Sequence, residues 1–391
     1  MIIIPIDSYQ KRKDIMKKTL LASAVIGMLA APAWAQSEAT LYGTLDVGYG
    51  VGNQGIYEGA ATGNGKFQQW GGSKATSVWG LKGSEDLGNG LKAYFQLESE
   101  INPEDGASEG FNRAAFVGLA GNFGAIQAGR QSTVASNIMS EFDVSGAPAL
   151  TSSLGNAGVS GDAQRFADGT YDHADSVIAY VSPEFSGFSF QAAVILKNDD
   201  AFGLDGMNTG SDIWGNPLYA SAKTIYTIGA MYSYGDFTIG AVYESKPASM
   251  PGTDISASWG IGAKYDFGSF LVSASYFDNH LKNDGRGFSL GIAAPISNTA
   301  FTVGAQVAYN MKAYSGTETK YAWIPSGSTW VPYAYDTDRE VKPLAWELFA
   351  TYDLSKRTQL YVQYGGTNND AETFNAAERK YSASIGMIHN F

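Results

Sequence analysis

The 391-residue sequence contains no cysteine, and only 16% of its residues are charged. Without cysteine the chain has no disulfide framework, no zinc knuckle and no thiol nucleophile. The net charge of −12 argues against nucleic acid as a partner. After residue 35, no apolar run reaches the roughly 18 residues that a membrane helix needs. The sequence predicts neither a metal nor any other cofactor.

Glycine and aromatic residues are abundant instead, with 47 Gly, 23 Tyr, 20 Phe and 8 Trp. The chain is longer than the usual single-core domain, so its length implies either two domains or one large closed sheet.

The N-terminal region has the features of a targeting segment. A basic stretch at 16–18 precedes an apolar core at 20–31, and Ala33-Trp34-Ala35 supplies the small residues that a signal peptidase recognises. We therefore expect a signal peptide at 16–35, a mature chain at 36–391, and an upstream extension or misassigned start at 1–15. Removal of residues 1–35 takes away five bases and two acids, which leaves a mature charge of about −15.

Alternating apolar and polar residues predict β-strands along most of the mature chain. In segment 301–309 the odd positions from Phe301 to Tyr309 are apolar, and the even positions are small or polar. A soluble β-sandwich would bury the apolar face, whereas a transmembrane barrel turns it toward lipid. The aromatic residues at both ends of this face favour the barrel, because girdles of aromatic residues lie at both membrane interfaces.

The links between predicted strands alternate strictly between short and long. Seven short links are rich in the turn-forming residues Gly, Pro, Asn or Ser and lie near 86–89, 121–122, 183–185, 235, 268, 295–297 and 355–356. Eight longer links lie near 51–73, 101–111, 131–174, 198–222, 247–255, 279–285, 312–341 and 367–379. The sequence therefore predicts an all-β fold, a sixteen-stranded antiparallel transmembrane barrel with short periplasmic turns and long external loops. A barrel of this size holds an aqueous channel.

The last predicted strand runs to the final residue, since the apolar odd positions from Tyr381 to Met387 and Phe391 alternate with small or polar ones. A barrel tolerates no open edge in lipid. We therefore expect this strand to close against the first strand, at 40–50, with Phe391 in the outward register at the periplasmic rim.

Four stretches resemble the general diffusion porins of Gram-negative bacteria, especially the proteobacterial branch with neisserial members. They are WGLKGSEDLGNGLKAYFQLE (79–98), NRAAFVGLAGNFGAIQAGRQ (112–131), YVSPEFSGFSF (180–190) and the terminal GMIHNF, and the resemblance extends over 36–391. It implies an outer-membrane homotrimer, surrounded by lipid and lipopolysaccharide, that passes small hydrophilic solutes and ions. It also implies that the third external loop folds into each pore and that the barrel-assembly machinery recognises Phe391.

The third loop, at 131–174, carries the charges that would define a constriction. Glu141 and Asp143 are its first acids and Arg165 its only base, and three further acids follow, Asp162, Asp168 and Asp172. Acids on the loop opposite bases on the wall would create a transverse field that biases ion selectivity. The alternative is that these charges are simply solvated.

Four basic residues of the wall are predicted to face the lumen. Alternation with the apolar Ala93 and Phe95 places Lys92 on the lumenal face, together with Tyr94, Gln96 and Glu98. The family resemblance implies that Lys82, Arg113 and Arg130 also face inward.

Three positions depart from the family pattern. Val78 and His173 stand where members often carry Arg, and Ile388 replaces the Arg of a terminal Gly-Met-Arg-His. With fewer lumenal bases and a negative mature chain, we expect weak cation preference or near-neutral selectivity, rather than the anion preference that is common in this branch.

Other functions have less support. Gly50–Gly55 matches a dinucleotide-binding pattern, but no amphipathic helix follows it. A hydrolase needs a histidine beside a serine or aspartate, and His173, His280 and His389 are far apart in sequence. A substrate-specific channel for sugars, organic acids or phosphate is the main alternative, since the aromatic residues of 312–341 suit sugar stacking or packing at the barrel mouth. A pure adhesin would show no conductance.

Overall fold

The computed structural model describes residues 38–52, 68–71, 74–145, 172–197, 208–211, 217–219, 221–245, 248–249, 257–278, 286–326, 329–369 and 381–391. The segments predicted at 1–15 and 16–35 lie outside these residues. So do Asp162, Arg165, Asp168 and His280.

Sixteen antiparallel strands form one closed barrel, as the sequence predicts. They are β1 (Glu38–Gly52), β3 (Val78–Gly88), β4 (Leu91–Glu100), β5 (Ala114–Gly121), β6 (Gly124–Ser132), β7 (His173–Val181), β8 (Phe188–Ile195), β12 (Ile225–Tyr234), β13 (Phe237–Glu244), β15 (Ser258–Asp266), β16 (Leu271–Asp278), β17 (Arg286–Pro295), β18 (Phe301–Ser326), β20 (Leu344–Asp353), β21 (Thr358–Thr367) and β22 (Tyr381–Asn390). The seven short links expected between strands are present, at 89–90, 122–123, 182–187, 235–236, 267–270, 296–300 and 354–357.

Smaller elements occupy the long links. They are the strands β2 (Gln68–Gly71), β9 (Asn208–Ser211), β10 (Pro217–Tyr219), β11 (Ser221–Ala222), β14 (Ala248–Ser249) and β19 (Thr329–Val341), a helix α1 (Val134–Met139) and a 3₁₀ turn (Ser140–Phe142). Among the described residues, no helix is long and apolar enough to cross a membrane.

The long link predicted at 312–341 is present, and it has a regular structure that the sequence analysis did not predict. There β18 continues past the barrel and pairs with β19, from Ala313 opposite Val341 to Ser326 opposite Thr329. The segment is rich in Thr, Tyr, Trp and Val, which favour extended backbone. The link is therefore a long β-hairpin.

The barrel has apolar residues outside and polar residues inside, the reverse of a soluble sandwich. Outward side chains such as Leu41, Val117 and Ile385 are 57%, 60% and 58% exposed. Inward side chains such as Asp46 and Gln363 are buried. This polarity matches a lipid-facing wall around a polar lumen.

Aromatic pairs mark both ends of the outer surface. Near the short turns, Phe267 stacks on Phe270 with ring centroids 4.6 Å apart, and Phe301 lies 4.5 Å from Tyr352. Near the long links, Trp259 lies 5.0 Å from Tyr276. These two rings of aromatic residues are the girdles that the sequence predicts.

The barrel closes between its two terminal strands. β1 pairs with β22 from Thr44 opposite Asn390 to Gly52 opposite Ser382. Beyond this ladder, the Phe391 amide donates to the Gly43 carbonyl at 3.0 Å, and the Gly43 amide donates back at 3.3 Å. A Cβ at Gly43 would collide with the Phe391 ring, so the glycine allows the terminal ring to approach the closing strand.

Loss of this ring is expected to weaken the closure. Phe391→Ala should lower the unfolding free energy by about 1 kcal/mol, because the buried part of this 42% exposed side chain is lost. Urea unfolding of the refolded protein in lipid vesicles would measure the change. Met387→Ala is the matched control, since Met387 also faces outward on β22 and is 46% exposed. Equal losses for both variants would contradict a specific role for the ring at the seam.

Candidate functional site

The third loop enters the lumen directly after β6. Thr133 caps α1, since its hydroxyl accepts a hydrogen bond from the Ser136 amide. One side of the loop is apolar and buried, comprising Val134, Ala135, Ile138, Met139 and Phe142. These side chains form the main hydrophobic core together with inward residues of the wall, among them Val177, Ile195 and Ile225. Among the residues that the structure describes, the larger apolar core therefore lies inside the barrel, between the loop and the wall.

Glycines in the wall allow the loop to approach this closely. A Cβ at Gly229 would lie 2.8 Å from Ile138 Cγ1, and one at Gly260 would lie 2.9 Å from the Met139 sulfur. A Cβ at Gly262 would overlap the Phe142 ring. Glycine inside a strand commonly marks a close approach of this kind, and here the glycines leave room for the loop against the wall.

Polar side chains of the wall bind the loop at residues 141–144, after the helix α1. Lys264 on β15 donates to the Glu141 carbonyl at 3.0 Å and to its carboxylate at 2.8 Å. The Ser273 hydroxyl donates to the Phe142 carbonyl at 2.6 Å. Gln306 on β18 accepts from the Val144 amide at 3.0 Å. Three residues of the loop are thus bound to three different strands, β15, β16 and β18.

The sequence placed Glu141 among the constriction charges, but the structure places its carboxylate against Lys264. The two side chains are 5% and 9% exposed. A charge that is buried and paired contributes little to the field in the open lumen, so the geometry favours an anchoring role for Glu141. Its part in the constriction remains a prediction.

Both roots of the loop are joined by a hydrogen-bonded chain. The Thr133 amide donates to the Asp172 carbonyl at 2.8 Å. His173 Nε2 lies 3.1 Å from the Ser132 hydroxyl, and His173 Nδ1 lies 2.8 Å from the Asp172 carboxylate. Burial opposes ionisation of Asp172, but the hydrogen bond from His173 and nearby positive charge more than offset it and lower the pKa of the carboxyl.

The structure therefore corrects one premise of the sequence analysis, since His173 does lie beside a serine and an aspartate. Ser132 and His173 are directly opposite each other on β6 and β7. Asp172 also faces Arg113, at 3.6 Å. This arrangement cross-links the two strands at the point where the loop leaves and re-enters the wall.

A second polar cluster lies on the inner faces of β1, β3 and β4. Glu98 accepts from Arg113 Nε at 2.9 Å and from the Tyr42 hydroxyl at 2.8 Å. The Lys82 ammonium lies 4.7 Å from the centre of the Tyr42 ring, within the range of a cation–π contact. The predicted wall bases Lys82 and Arg113 are thus brought together around Tyr42.

The other predicted bases are not part of this cluster. Lys92 is the second residue of β4, opposite Asp86 beside the short turn. Arg130 lies on the same face of β6 as the exposed Ile126 and Ala128, and it pairs with Asp175 at 2.7 Å. This register does not aim Arg130 at the lumen, and its constriction role stays a prediction.

Asp143 lies at the end of the described part of the loop. Its carboxylate accepts from the amide and the hydroxyl of Ser145, at 2.9 and 2.7 Å. This predicted constriction acid is only partly buried.

Sequence reasoning missed Lys264 and the apolar inner wall. Alternation alone places Lys264 inward, because it lies between Ala263 and Tyr265 on the outer side of β15. The inner wall has a sequence signal as well: Val177–Val181 and Ala192–Ile195 are apolar on both faces. Strands that are apolar on both faces are typical of a sheet covered on both sides.

The chain was compared with known proteins. The family model described as "Gram-negative porin" matches residues 22–372. An outer membrane porin protein of Bordetella pertussis is 29% identical over 405 residues, covering 96% of this chain and 100% of the relative. Outer membrane porin protein 32 of Delftia acidovorans is 33% identical over 61% of this chain and 68% of its own length. The solved structure of an anion-selective porin from Comamonas acidovorans superposes with a TM-score of 0.66 at 22% identity, covering 91% of this chain and 100% of that one.

Removal of one partner of the Lys264–Glu141 pair is expected to destabilise the folded protein. Lys264→Met should lower the unfolding free energy by about 3 kcal/mol, because it leaves a carboxylate buried without its cation. The double variant Lys264→Met/Glu141→Gln should lose clearly less, since no unpaired charge remains. Urea unfolding of the unmodified protein, Lys264→Met, Glu141→Gln and the double variant completes the double-mutant cycle. Additive losses would contradict direct coupling between the two side chains.

Proposed function

Since the chain belongs to the Gram-negative porin family, we propose that its lumen is a general diffusion pore with near-neutral to weakly cation-preferring selectivity. As a porin of the outer membrane, it forms a water-filled channel through which small hydrophilic solutes pass passively. The pairing of Glu141 with Lys264 is the main observation in favour of this weak selectivity.

Charge compensation in the lumen supports weak selectivity. Lys264 neutralises Glu141, and Arg113 lies between Glu98 and Asp172. Charged groups at a constriction bias selectivity through their net field, and compensated pairs contribute little net field. Among the described residues, Lys82 has no carboxylate partner at ion-pair distance, so it is the strongest described candidate for an anion-attracting group.

The departures from the family pattern also favour weak cation preference over anion preference. Ile388 is buried on the inner face, opposite Asp46, at a position where a base would favour anions. His173 is 8% exposed and engaged at the root of the loop. The porin from Comamonas acidovorans is described as anion-selective, but at that identity the likeness concerns the fold alone. The mature charge of about −15 adds to the expected attraction of cations.

We also propose the partners that the family resemblance implies. These are two further copies of the chain in a homotrimer, lipopolysaccharide and lipid around the outer face, and the barrel-assembly machinery at Phe391. If that machinery recognises the terminal ring, removal of Phe391 lowers the yield of assembled trimer in cells. Unchanged assembly in cells would contradict that recognition.

General diffusion predicts a smooth dependence of permeability on solute size. Liposomes containing the refolded protein should swell at rates that decline steadily through a series of neutral sugars and amino acids. One solute far above this trend would indicate a substrate-specific channel instead. The complete absence of swelling and conductance would contradict the pore function itself.

Near-neutral selectivity predicts a small reversal potential across a KCl gradient in a planar bilayer, at zero or slightly on the cation-selective side. Lys82→Gln should move it further toward cation preference, because the variant loses a lumenal positive charge. Lys356→Gln, in the short link between β20 and β21, serves as the exposed control. Clear chloride preference in the unmodified protein would contradict the proposal.

A further inference from the structure

A short segment of the chain folds into the lumen beside the third loop. β1 pairs with β2 down to Val47 opposite Gly71, and with β3 from Thr44 opposite Val78. The chain between Gly71 and Val78 is therefore opposed by only two residues of β1. Residues 74–77 leave the wall, and Lys74 and Ser77 among them are 7% and 2% exposed. We call residues 74–77 the insert.

Asp46 on β1 fixes the insert in place. Its Oδ2 accepts from the backbone amides of Lys74 and Ala75, both at 2.7 Å. Its Oδ1 accepts from the Tyr361 hydroxyl of β21 at 2.7 Å. Ser77 bonds the Asp46 backbone, since its hydroxyl accepts from the Asp46 amide at 2.9 Å. The carboxylate is completely buried, and three donors offset part of the cost of its desolvation.

The insert reaches the third loop through the side chain of Lys74. Its Nζ donates to the carbonyl of Ser145 and lies 5.7 Å from the centre of the Phe349 ring. The wall anchors described above end at Val144, which is held by Gln306. Lys74 thus adds an attachment at Ser145, the residue that follows Val144.

We propose that Lys74, held by Asp46, is a positioning residue that keeps loop residues 143–145 against the wall and so keeps the pore open. This inference rests on the proposed function, because it concerns how the conducting lumen stays unobstructed. A hydrogen bond from an ammonium is stronger than one between neutral groups. Loss of this bond weakens the attachment of residues 143–145, so that they move into the water-filled part of the lumen and block it more often.

Four variants separate positioning from simple charge. Lys74→Met removes the ammonium and keeps a similar length, and Lys74→Arg keeps both charge and donors. Tyr361→Phe removes one donor to Asp46 and changes no charge. Lys82→Met is the matched control, since it deletes a lumenal lysine that contacts Tyr42 and no loop residue that the structure describes.

Single-channel recordings in a planar bilayer would compare closure frequency and reversal potential. Lys74→Met should close about tenfold more often, the effect expected for one charge-assisted hydrogen bond. Tyr361→Phe should move in the same direction and Lys74→Arg should restore the original frequency. Lys82→Met should shift only the reversal potential. Equal closure frequencies for Lys74→Met and Lys82→Met would overturn the proposal, whereas absence of conductance in the unmodified protein would overturn the pore function.

A cross-link tests the same contact when Lys74→Met folds poorly. The chain contains no cysteine, so the double variant Lys74→Cys/Ser145→Cys offers a single reactive pair. A reducible bifunctional thiol reagent about as long as a lysine side chain should suppress closures, and a reductant should bring them back. Complete cross-linking without a change in closure frequency would also overturn the proposal.

Discussion

The rest of this structure depends on the requirement that every backbone N–H and C=O within a membrane finds a partner inside the protein. A sheet meets it only by closing on itself, and here β22 closes against β1 with Phe391 adding the last hydrogen bonds. Closure then fixes the polarity of every strand, because one face meets lipid and the other a lumen. The pore is a consequence of this closure.

A barrel of sixteen strands encloses a wide lumen. The third loop occupies part of that lumen and packs against the inner wall through an apolar core. Val134, Ile138 and Phe142 bury themselves against the inner wall, and glycines such as Gly262 make room for them. Lys264, Ser273 and Gln306 then bind the loop backbone. Apolar packing positions the loop, and polar contacts hold its residues 141–144. The outer face of the wall thus contacts lipid, and its inner face forms part of an apolar core with the loop.

Period-two patterning was sufficient to predict the strand number, the closing pair and the outward aromatic girdles from sequence. These features repeat with the strand and depend on lipid, which acts in the same way on every strand. The loop contacts were not predictable, because they join residues such as Glu141 and Lys264 that only the three-dimensional path brings together. The family resemblance implied that Glu141 lies on a loop inside the lumen, but local sequence pattern did not reveal its partner Lys264. His173 gives the same lesson, since its partner Ser132 lies 41 residues away.

The seam between β1 and β22 has a consequence for how the barrel comes into being. The hydroxyl of Thr44 bonds the Asn390 side chain across 346 residues of sequence, whereas most other barrel pairs join neighbours along the chain. Contacts between distant residues carry a large loop-closure entropy and slow the search for the native state. Local hairpins form early, but the seam has to wait until the other fifteen strand pairings have brought its two edges together. Until then β1 and β22 are two unpaired edges, and their exposure time is set by the slowest step of the search.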